Sequence, residues 1–225
     1  MLVIFDCDGV LVDSEAIYIE AELAHLARQG VVLDRADYMR RFMGLSPADW
    51  RAGIADLVAD ATGVGPAARF FDLLAEAVHA EMDRRLAPIA GVPETLAALG
   101  VPICVASSTP LQRLHWKLDR TGLSPFFGDR VFSASMVAKG KPAPDLFLYA
   151  AKACGHEPGR CIVVEDSVNG VLAGRSAGMA VIGFCGGGHC DDSHGDRLTQ
   201  AGATQIAGSF AEICTAIGAI GQHGG

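Results

Sequence analysis

The sequence feature that most constrains the fold is a change in the spacing of apolar residues near residue 86. From there to residue 218, short apolar runs alternate with segments of helical spacing. The predicted strands are 101–106, 131–132, 161–164, 179–184 and 204–206, and the predicted helices are 92–99, 110–121, 144–154, 168–177 and 209–218. Strands that alternate with helices form βαβ units, which build a mostly parallel sheet.

The N-terminal part contributes one more strand and a helical insert. Residues 2–5 are an apolar run that stops at Asp6, whereas residues 15–85 carry helical spacing broken by glycine and proline into about four helices. We therefore predict an α/β fold: a Rossmann-like core with a parallel sheet, formed by residues 1–14 and 86–225. An all-helical cap domain, residues 15–85, is inserted after the first strand.

Charge, apolar runs and cysteine number limit the partners and the environment that we expect for this protein. The chain has 18 Lys and Arg against 26 Asp and Glu, for a net charge of −8, which disfavours binding to nucleic acid. No apolar run reaches the roughly 18–20 residues of a membrane span, and the first apolar stretch is too short for a signal peptide. The chain has seven cysteines, an odd number, which does not suggest a structure held together by disulfide bonds. We expect a reduced, cytoplasmic protein with no membrane partner, and a monomer, because nothing marks an apolar interface.

Two carboxylates follow the first strand directly, in the sequence Asp6-Cys7-Asp8-Gly9. Ligands of such sheets bind at the carboxyl ends of the strands. Side chains two positions apart leave an extended segment on the same side, where Asp6 and Asp8 repel unless a cation lies between them. An ordinary turn with two aspartates is the local alternative.

Ser107 and Ser108 follow the strand 101–106 at the start of a predicted helix. Free N–H groups at a helix start can bind a phosphate, but a plain helix N-cap is the usual reason for a serine there, and local sequence favours it. Lys141 stands between Gly140 and Pro142 in a chain with few lysines. Its ammonium suits a phosphate or a nearby aspartate, and an exposed loop lysine is the alternative.

Glu165 and Asp166 are consecutive carboxylates at the end of the strand 161–164. A hard cation with oxygen ligands would relieve their repulsion, and Mg²⁺ is the usual choice beside phosphates. The alternative is that Asp166 or Ser167 caps the following helix.

Taken together, four segments resemble the four motifs of the haloacid dehalogenase superfamily. They are Phe5-Asp-Cys-Asp-Gly-Val-Leu-Val-Asp-Ser-Glu15, Ala106-Ser-Ser108, Gly140-Lys-Pro-Ala-Pro-Asp145 and Val164-Glu-Asp-Ser-Val-Asn-Gly170. The helical insert resembles the cap of the phosphoglycolate phosphatase and beta-phosphoglucomutase branch, so the resemblance covers almost the whole chain.

The resemblance implies a role for each motif residue. Asp6 would be the nucleophile that forms an aspartyl-phosphate, and Asp8 the general acid and then the general base. Ser107 would hydrogen-bond the transferring phosphoryl group, helped by backbone N–H groups near Ser108. Lys141 would pair with the phosphoryl group and with Asp6.

The resemblance also implies a metal cofactor. Mg²⁺ would be held by Asp6, the backbone carbonyl of Asp8, Glu165 and Asp166. The second aspartate argues against a dehalogenase, which lacks it, and the absence of lysine from residues 15–85 argues against a phosphonatase, which uses a cap lysine. The expected enzyme is a Mg²⁺-dependent phosphatase of a small phosphorylated metabolite, a sugar phosphate or sugar-acid phosphate.

A beta-phosphoglucomutase-like phosphomutase is the alternative. Where that family has a lysine, an arginine and a histidine in its cap, this chain has Met43, Pro47 and Tyr18. The lysine and arginine would bind a second phosphate. An arginine of the insert could do so in their place: Arg40, Arg41 or Arg51. Gly44, in a loop expected to close over the site, and Arg41 are the candidate substrate-binding residues of the cap. A non-catalytic binding protein is the third hypothesis, which the intact motifs disfavour.

The segment from Gly186 to His194 contains His189, Cys190 and His194, which are zinc ligands by type. Because the segment is rich in glycine and follows a strand, we predict a mobile surface loop instead. Cys7, between the two motif aspartates, is expected to be a small buried side chain.

Overall fold

The structure, a computed structural model, describes residues 1–43, 45 and 47–223. The chain divides into two compact units, Ser14–Leu86 and a second made of Met1–Asp13 and Ala87–Gly225. We call them the helical unit and the α/β unit. No helix in the described part of the chain is long and apolar enough to cross a membrane.

The described residues of the helical unit form four helices: α1 (Ser14–Arg28), α2 (Arg35–Phe42), α3 (Pro47–Thr62) and α4 (Phe70–Arg85). Their number agrees with the breaks expected from glycine and proline. Helix α2 begins after Asp34, whose carboxylate accepts a hydrogen bond from the Asp37 N–H at 2.7 Å. Helices α1 and α4 pack against each other.

A partly buried polar network joins three helices of the helical unit. The Tyr38 hydroxyl donates to the Glu22 carboxylate, and the Trp50 indole N–H donates to the Tyr38 oxygen at 3.0 Å. Burial raises the pKa of Glu22 from 4.5 to about 8, with a smaller contribution from the charge of Glu15. Glu22 is therefore a neutral acid in the folded protein near neutral pH.

The α/β unit is built on a six-stranded sheet in which every pairing is parallel, with the order β3-β2-β1-β4-β5-β6. The strands are β1 (Leu2–Phe5), β2 (Ile103–Ser107), β3 (Val131–Ser133), β4 (Cys161–Glu165), β5 (Ala180–Phe184) and β6 (Gln205–Ala207). The predicted α/β fold class with a parallel sheet is confirmed.

Up to residue 223, seven α-helices accompany the sheet: α5 (Val92–Ala98), α6 (Leu111–Arg120), α7 (Ser124–Phe127), α8 (Asp145–Ala153), α9 (Val168–Ser176), α10 (His194–Gln200) and α11 (Phe210–His223). Helices α7 and α10 were not predicted. Leu2 and Ile4 of β1 belong to a buried cluster that includes Val163 of β4 and Phe147 of α8. Because β1 is buried along its whole length, it is a continuous apolar run rather than an alternating one.

Candidate active site

Three neighbouring strands bring the motif residues together. Phe5, the last residue of β1, pairs with Val105 of β2 on one side and Val164 of β4 on the other. Since the strands are parallel, the residues that follow them meet at one edge of the sheet. Asp6 therefore lies beside the ends of the strands that carry Ser107 and Glu165.

Lys141 lies at the centre of this edge. Its Nζ is 2.6 Å from Asp6 Oδ1 and 2.6 Å from Glu165 Oε1, and it donates to the Ala106 carbonyl at 3.1 Å. The lysine side chain is only 5% exposed and Glu165 only 1%. The two carboxylates raise the pKa of Lys141 above its usual value despite its burial, so this lysine is a fixed positive charge rather than the exposed loop residue of the alternative interpretation.

Glu165 is held from its other side by the start of α9. Its second oxygen accepts hydrogen bonds from the Ser167 N–H at 3.0 Å and the Ser167 hydroxyl at 2.9 Å. The same hydroxyl accepts from the Gly170 N–H, so Ser167 is the N-cap of α9. A side chain at Gly170 would not fit, since its Cβ would fall 1.8 Å from Glu165 Cδ.

Asp6, Glu165 and Asp166 form a buried acidic cluster, with one oxygen of each within 4.8 Å of the other two. Burial raises the pKa of Asp6 well above its usual range; Lys141 opposes this, and Glu165 and Asp166 add to it. Lys141 contacts Asp6 and Glu165, and Asp166 lies beside them, so the cluster has more carboxyl groups than lysines. A hard divalent cation with oxygen ligands fits this donor set.

Asp8 has partners that the sequence did not reveal. One oxygen contacts the buried ammonium of Lys117, and the other accepts from the Thr109 hydroxyl at 2.6 Å. Lys117 is fully buried on the face of α6 that also buries Leu114 and Leu118. A lysine in phase with two leucines on an amphipathic helix is the signal that could have identified it.

Ser107 and Ser108 take different positions. Ser107 is buried, and its hydroxyl accepts from the Thr109 N–H at 3.1 Å, whereas Ser108 is exposed. Neither serine caps α6, which begins after Pro110 without a side-chain cap. The local N-cap alternative is therefore wrong, and Ser107 orders the turn between β2 and α6.

The segment after β5 is a loop with exposed residues, as we predicted, but part of it is buried against the acidic cluster. His189 is 4% exposed, and its Nε2 lies 3.0 Å from Asp166 Oδ2. His194 Nε2 lies 2.6 Å from the Asp166 carbonyl oxygen. The glycines that suggested mobility instead leave room for the imidazole, since a Cβ at Gly187 would fall 2.8 Å from His189 Cε1.

The remaining candidates are Arg41, Gly44 and Cys7. The guanidinium of Arg41, an exposed residue of the helical unit, lies 5.4 Å from the centre of the Phe42 ring. Gly44 lies outside the described residues. Cys7 is fully buried, and burial raises the pKa of its thiol well above the usual value, so it is not a reactive thiolate.

Buried carboxylates and two buried lysines thus meet at the carboxyl edge of a parallel sheet, where α/β proteins bind their ligands. A model of the haloacid dehalogenase-like hydrolase family matches residues 1–178. The chain belongs to this family of hydrolases, as its four motifs predicted.

Relatives in this family include two phosphatases of Escherichia coli (strain K12). The 6-phosphogluconate phosphatase is 35% identical over 188 residues, which cover 83% of each chain. Hexitol phosphatase B is 33% identical over 190 residues, 80% of this chain and 81% of that protein. A haloacid dehalogenase family hydrolase from Deinococcus radiodurans R1, solved with bound phosphate and sodium, has a TM-score of 0.86 at 35% identity and covers 98% of this chain and 96% of its own.

Proposed function

We propose that this hydrolase is a Mg²⁺-dependent phosphatase that releases phosphate from a small phosphorylated sugar or sugar acid through an aspartyl-phosphate on Asp6. The observation that carries the proposal is the buried group of Asp6, Lys141, Glu165 and Asp166 at the carboxyl edge of the sheet. It combines a carboxylate nucleophile with the positive charge that a dianionic phosphoryl group needs beside it.

The acidic cluster supports a magnesium ion. Asp6 and Asp166 offer carboxylate oxygens, as does Glu165, although both Glu165 oxygens already have partners in Lys141 and Ser167. When bound, Mg²⁺ would offset the charge of the phosphoryl group and of the cluster. The backbone carbonyl of Asp8 is a further expected ligand.

In the first step, an Asp6 oxygen would attack phosphorus while the bond from phosphorus to the leaving oxygen breaks. Asp8 would give its proton to that oxygen, which leaves as an alcohol. In the second step, Asp8 would take a proton from a water molecule that attacks the aspartyl-phosphate, which releases phosphate and restores Asp6. Lys141 stays charged throughout and stabilises the negative charge on Asp6 and on the phosphoryl oxygens.

The side chains around Asp8 support its role as the base of the second step, since both of its oxygens accept hydrogen bonds. Lys117 and Thr109 each hold one of its oxygens, so the carboxyl group has a defined orientation in this structure. We infer that Lys117 is a positioning residue for Asp8. Ser107 is expected to donate a hydrogen bond to the phosphoryl group, and backbone N–H groups near Ser108 to help.

The substrate class rests on the relatives. Two are named for phosphatase activity on phosphorylated sugars or sugar acids, as 6-phosphogluconate phosphatase and hexitol phosphatase B. We propose a substrate of the same kind. The helical unit would serve as the cap that selects it, with Arg41 and Gly44 as the candidate contacts.

The test is phosphate release from a panel of small phosphate esters, each measured with Mg²⁺ and with EDTA. The panel includes 6-phosphogluconate, hexitol phosphates, other sugar phosphates, phosphoglycolate and nucleotides. Release that requires the metal and is fastest with a sugar or sugar-acid phosphate supports the proposal. Release that is equally fast in EDTA contradicts the metal requirement.

The same panel tests the phosphomutase alternative. Beta-glucose 1-phosphate is supplied with a bisphosphate activator, and the products are separated. Conversion to glucose 6-phosphate without phosphate release from any panel member would contradict the phosphatase proposal and favour the mutase.

A further inference from the structure

Three side chains outside the four motifs bring two imidazoles and a thiol together. One ligand atom each of His189, Cys190 and His194 lies within 4.8 Å of the other two. The Cys190 sulfur is 3.6 Å from His189 Nε2. Bond lengths of about 2.3 Å to sulfur and 2.0 Å to nitrogen place the ligands of a tetrahedral zinc ion about 3.5 Å apart. This pair therefore already has the spacing of two ligands of one metal ion.

A carboxylate oxygen lies beside the His189 ligand atom. Asp166 Oδ2 lies 3.0 Å from His189 Nε2, and both side chains are less than a tenth exposed. Two imidazoles, a thiol and a carboxylate make a donor set of nitrogen, sulfur and oxygen. Such a set suits zinc and disfavours magnesium, which takes oxygen ligands.

We propose that His189, Cys190, His194 and the carboxylate of Asp166 form a second metal site, selective for zinc or a similar borderline divalent cation. The site borders the acidic cluster and shares Asp166 with it. It differs from that cluster in its nitrogen and sulfur donors, so the two sites would take different ions. The site stands on its own residues and does not require the proposed phosphatase activity.

Charges of both signs lie near the cluster. The carboxylates of Asp166 and Asp13 are negative charges that act on the Cys190 thiol, whose pKa is raised mainly by burial. Arg197 reaches His194 Nδ1 at 3.0 Å, but Asp191 pairs with its guanidinium at 3.0 and 3.2 Å. Without metal the thiol is protonated. Zinc binding would form a Zn–S bond and release that proton to the buffer.

Close packing holds His189 in place. A Cβ at Gly9 would fall 2.7 Å from His189 Cε1, and one at Gly187 would fall 2.8 Å from the same atom. The imidazole therefore lies against two residues that have no side chain. His194 Nε2 contacts the Asp166 carbonyl at 2.6 Å, and metal binding through that nitrogen would exchange this contact for a metal bond.

Cobalt(II) is the probe, because a cobalt–thiolate bond gives a charge-transfer absorption band that oxygen and nitrogen ligands do not give. The full-length protein is titrated with Co²⁺ in excess Mg²⁺ and without substrate. We expect one equivalent to produce the band, and Zn²⁺ to remove it by displacing cobalt. The band should be lost in Cys190→Ser and kept in Cys214→Ser, the control at an exposed thiol.

A wild-type titration without the band, or a band that persists in Cys190→Ser, would overturn the proposal. A second measurement on the wild type covers the case in which Cys190→Ser does not fold. Zn²⁺ should slow alkylation of the Cys190 peptide, read by mass spectrometry, and leave that of the Cys214 peptide unchanged. Equal alkylation of Cys190 with and without Zn²⁺ would also overturn the proposal. None of these readouts depends on turnover, so they stand apart from any failure of the phosphatase assay.

Discussion

At the scale of single residues, Lys141 balances the charge of the site. It is the buried cation between Asp6 and Glu165, at 2.6 Å from each. Burial of a charge is costly unless it is paired and hydrogen-bonded, and this lysine has both kinds of partner. Removing it would leave two buried carboxylates facing each other.

Replacement of Lys141 by methionine should therefore affect both stability and activity. We expect a loss of about 3–5 kcal/mol in the free energy of unfolding, since one member of a buried ion network is removed. Phosphate release should fall by more than about 100-fold, because a charge at the phosphoryl group is lost. Lys139→Met is the matched control at an exposed lysine of the same loop. Equal behaviour of the two variants in chemical unfolding and turnover would contradict this role.

We infer that Lys117 acts on the reaction through Asp8. Lys117→Met keeps the length of the buried side chain but removes the ammonium that holds the Asp8 carboxylate. We expect kcat to fall by about 10- to 100-fold, the effect of a small misplacement of a catalytic group, with KM changed little. Lys152→Met, an exposed lysine of α8, is the control. A rise in KM at constant kcat would point to substrate binding instead.

The sequence indicated the motif residues but not all of their partners. Asp6, Lys141 and Asp166 follow from strand ends and from motif spacing. The pair of Lys117 and Asp8 joins residues 109 positions apart, and only the packing of α6 brings them together. The burial of His189 was not predicted, because a glycine-rich segment gives no sign that two of its glycine contacts leave space for the ring.

At the scale of elements, the start of α9 is shaped to receive Glu165. The Cβ of an alanine at position 170 would overlap the Glu165 carboxyl group. Gly170→Ala should therefore displace Glu165 from Lys141 and lower both activity and melting temperature. Gly218→Ala in α11 is the control, since its Cβ would meet nothing within 4 Å. There the exchange should stabilise the helix by about 1 kcal/mol. The measurement is the melting temperature of each variant. A melting temperature of Gly170→Ala above that of the wild type would contradict this account.

Glu22 of α1, which contacts Tyr38 of α2, should make the stability of the protein depend on pH. The pKa of Glu22 is raised from 4.5 to about 8 in the folded state, so the folded protein binds a proton that the unfolded chain has lost between those values. Stability therefore falls as the pH rises through this interval and is unaffected below it. Each pKa unit corresponds to about 1.4 kcal/mol, so the total is on the order of a few kcal/mol.

Glu22→Gln should remove this dependence. The variant should unfold at a higher temperature than the wild type near pH 8 and at the same temperature near the pKa of an ordinary glutamate, 4.5. Glu76→Gln, an exposed glutamate of α4, should show no such difference. Parallel melting curves of the wild type and Glu22→Gln at both pH values would show that Glu22 is ionised in the folded state.

The elements that the sequence did not predict lack a periodic signal. Helix α7 has four residues, a single turn, so no apolar repeat can be recognised. Helix α10 is polar and buries Leu198 alone. The strands were predicted because buried parallel strands are nearly continuous apolar runs.

At the scale of the whole molecule, the parallel sheet and the family followed from the order of elements and motifs. What the sequence did not supply is the substrate, since selection of a sugar phosphate depends on a few side chains whose placement is a matter of tertiary structure. The net charge of −8 agrees with a small-molecule substrate. Metal, lysines and helix N–H groups would have to offset the charge of that substrate locally.

The most direct test of the central claim is to trap the phosphoryl group on the enzyme. The protein is mixed with its best substrate from the panel in Mg²⁺, quenched in acid within one turnover, and digested for mass spectrometry. We predict a phosphoryl group on Asp6 in the wild type, and neither label nor phosphate release in a folded Asp6→Asn variant. Phosphate release by Asp6→Asn at the wild-type rate, or a label on another residue, would contradict the account.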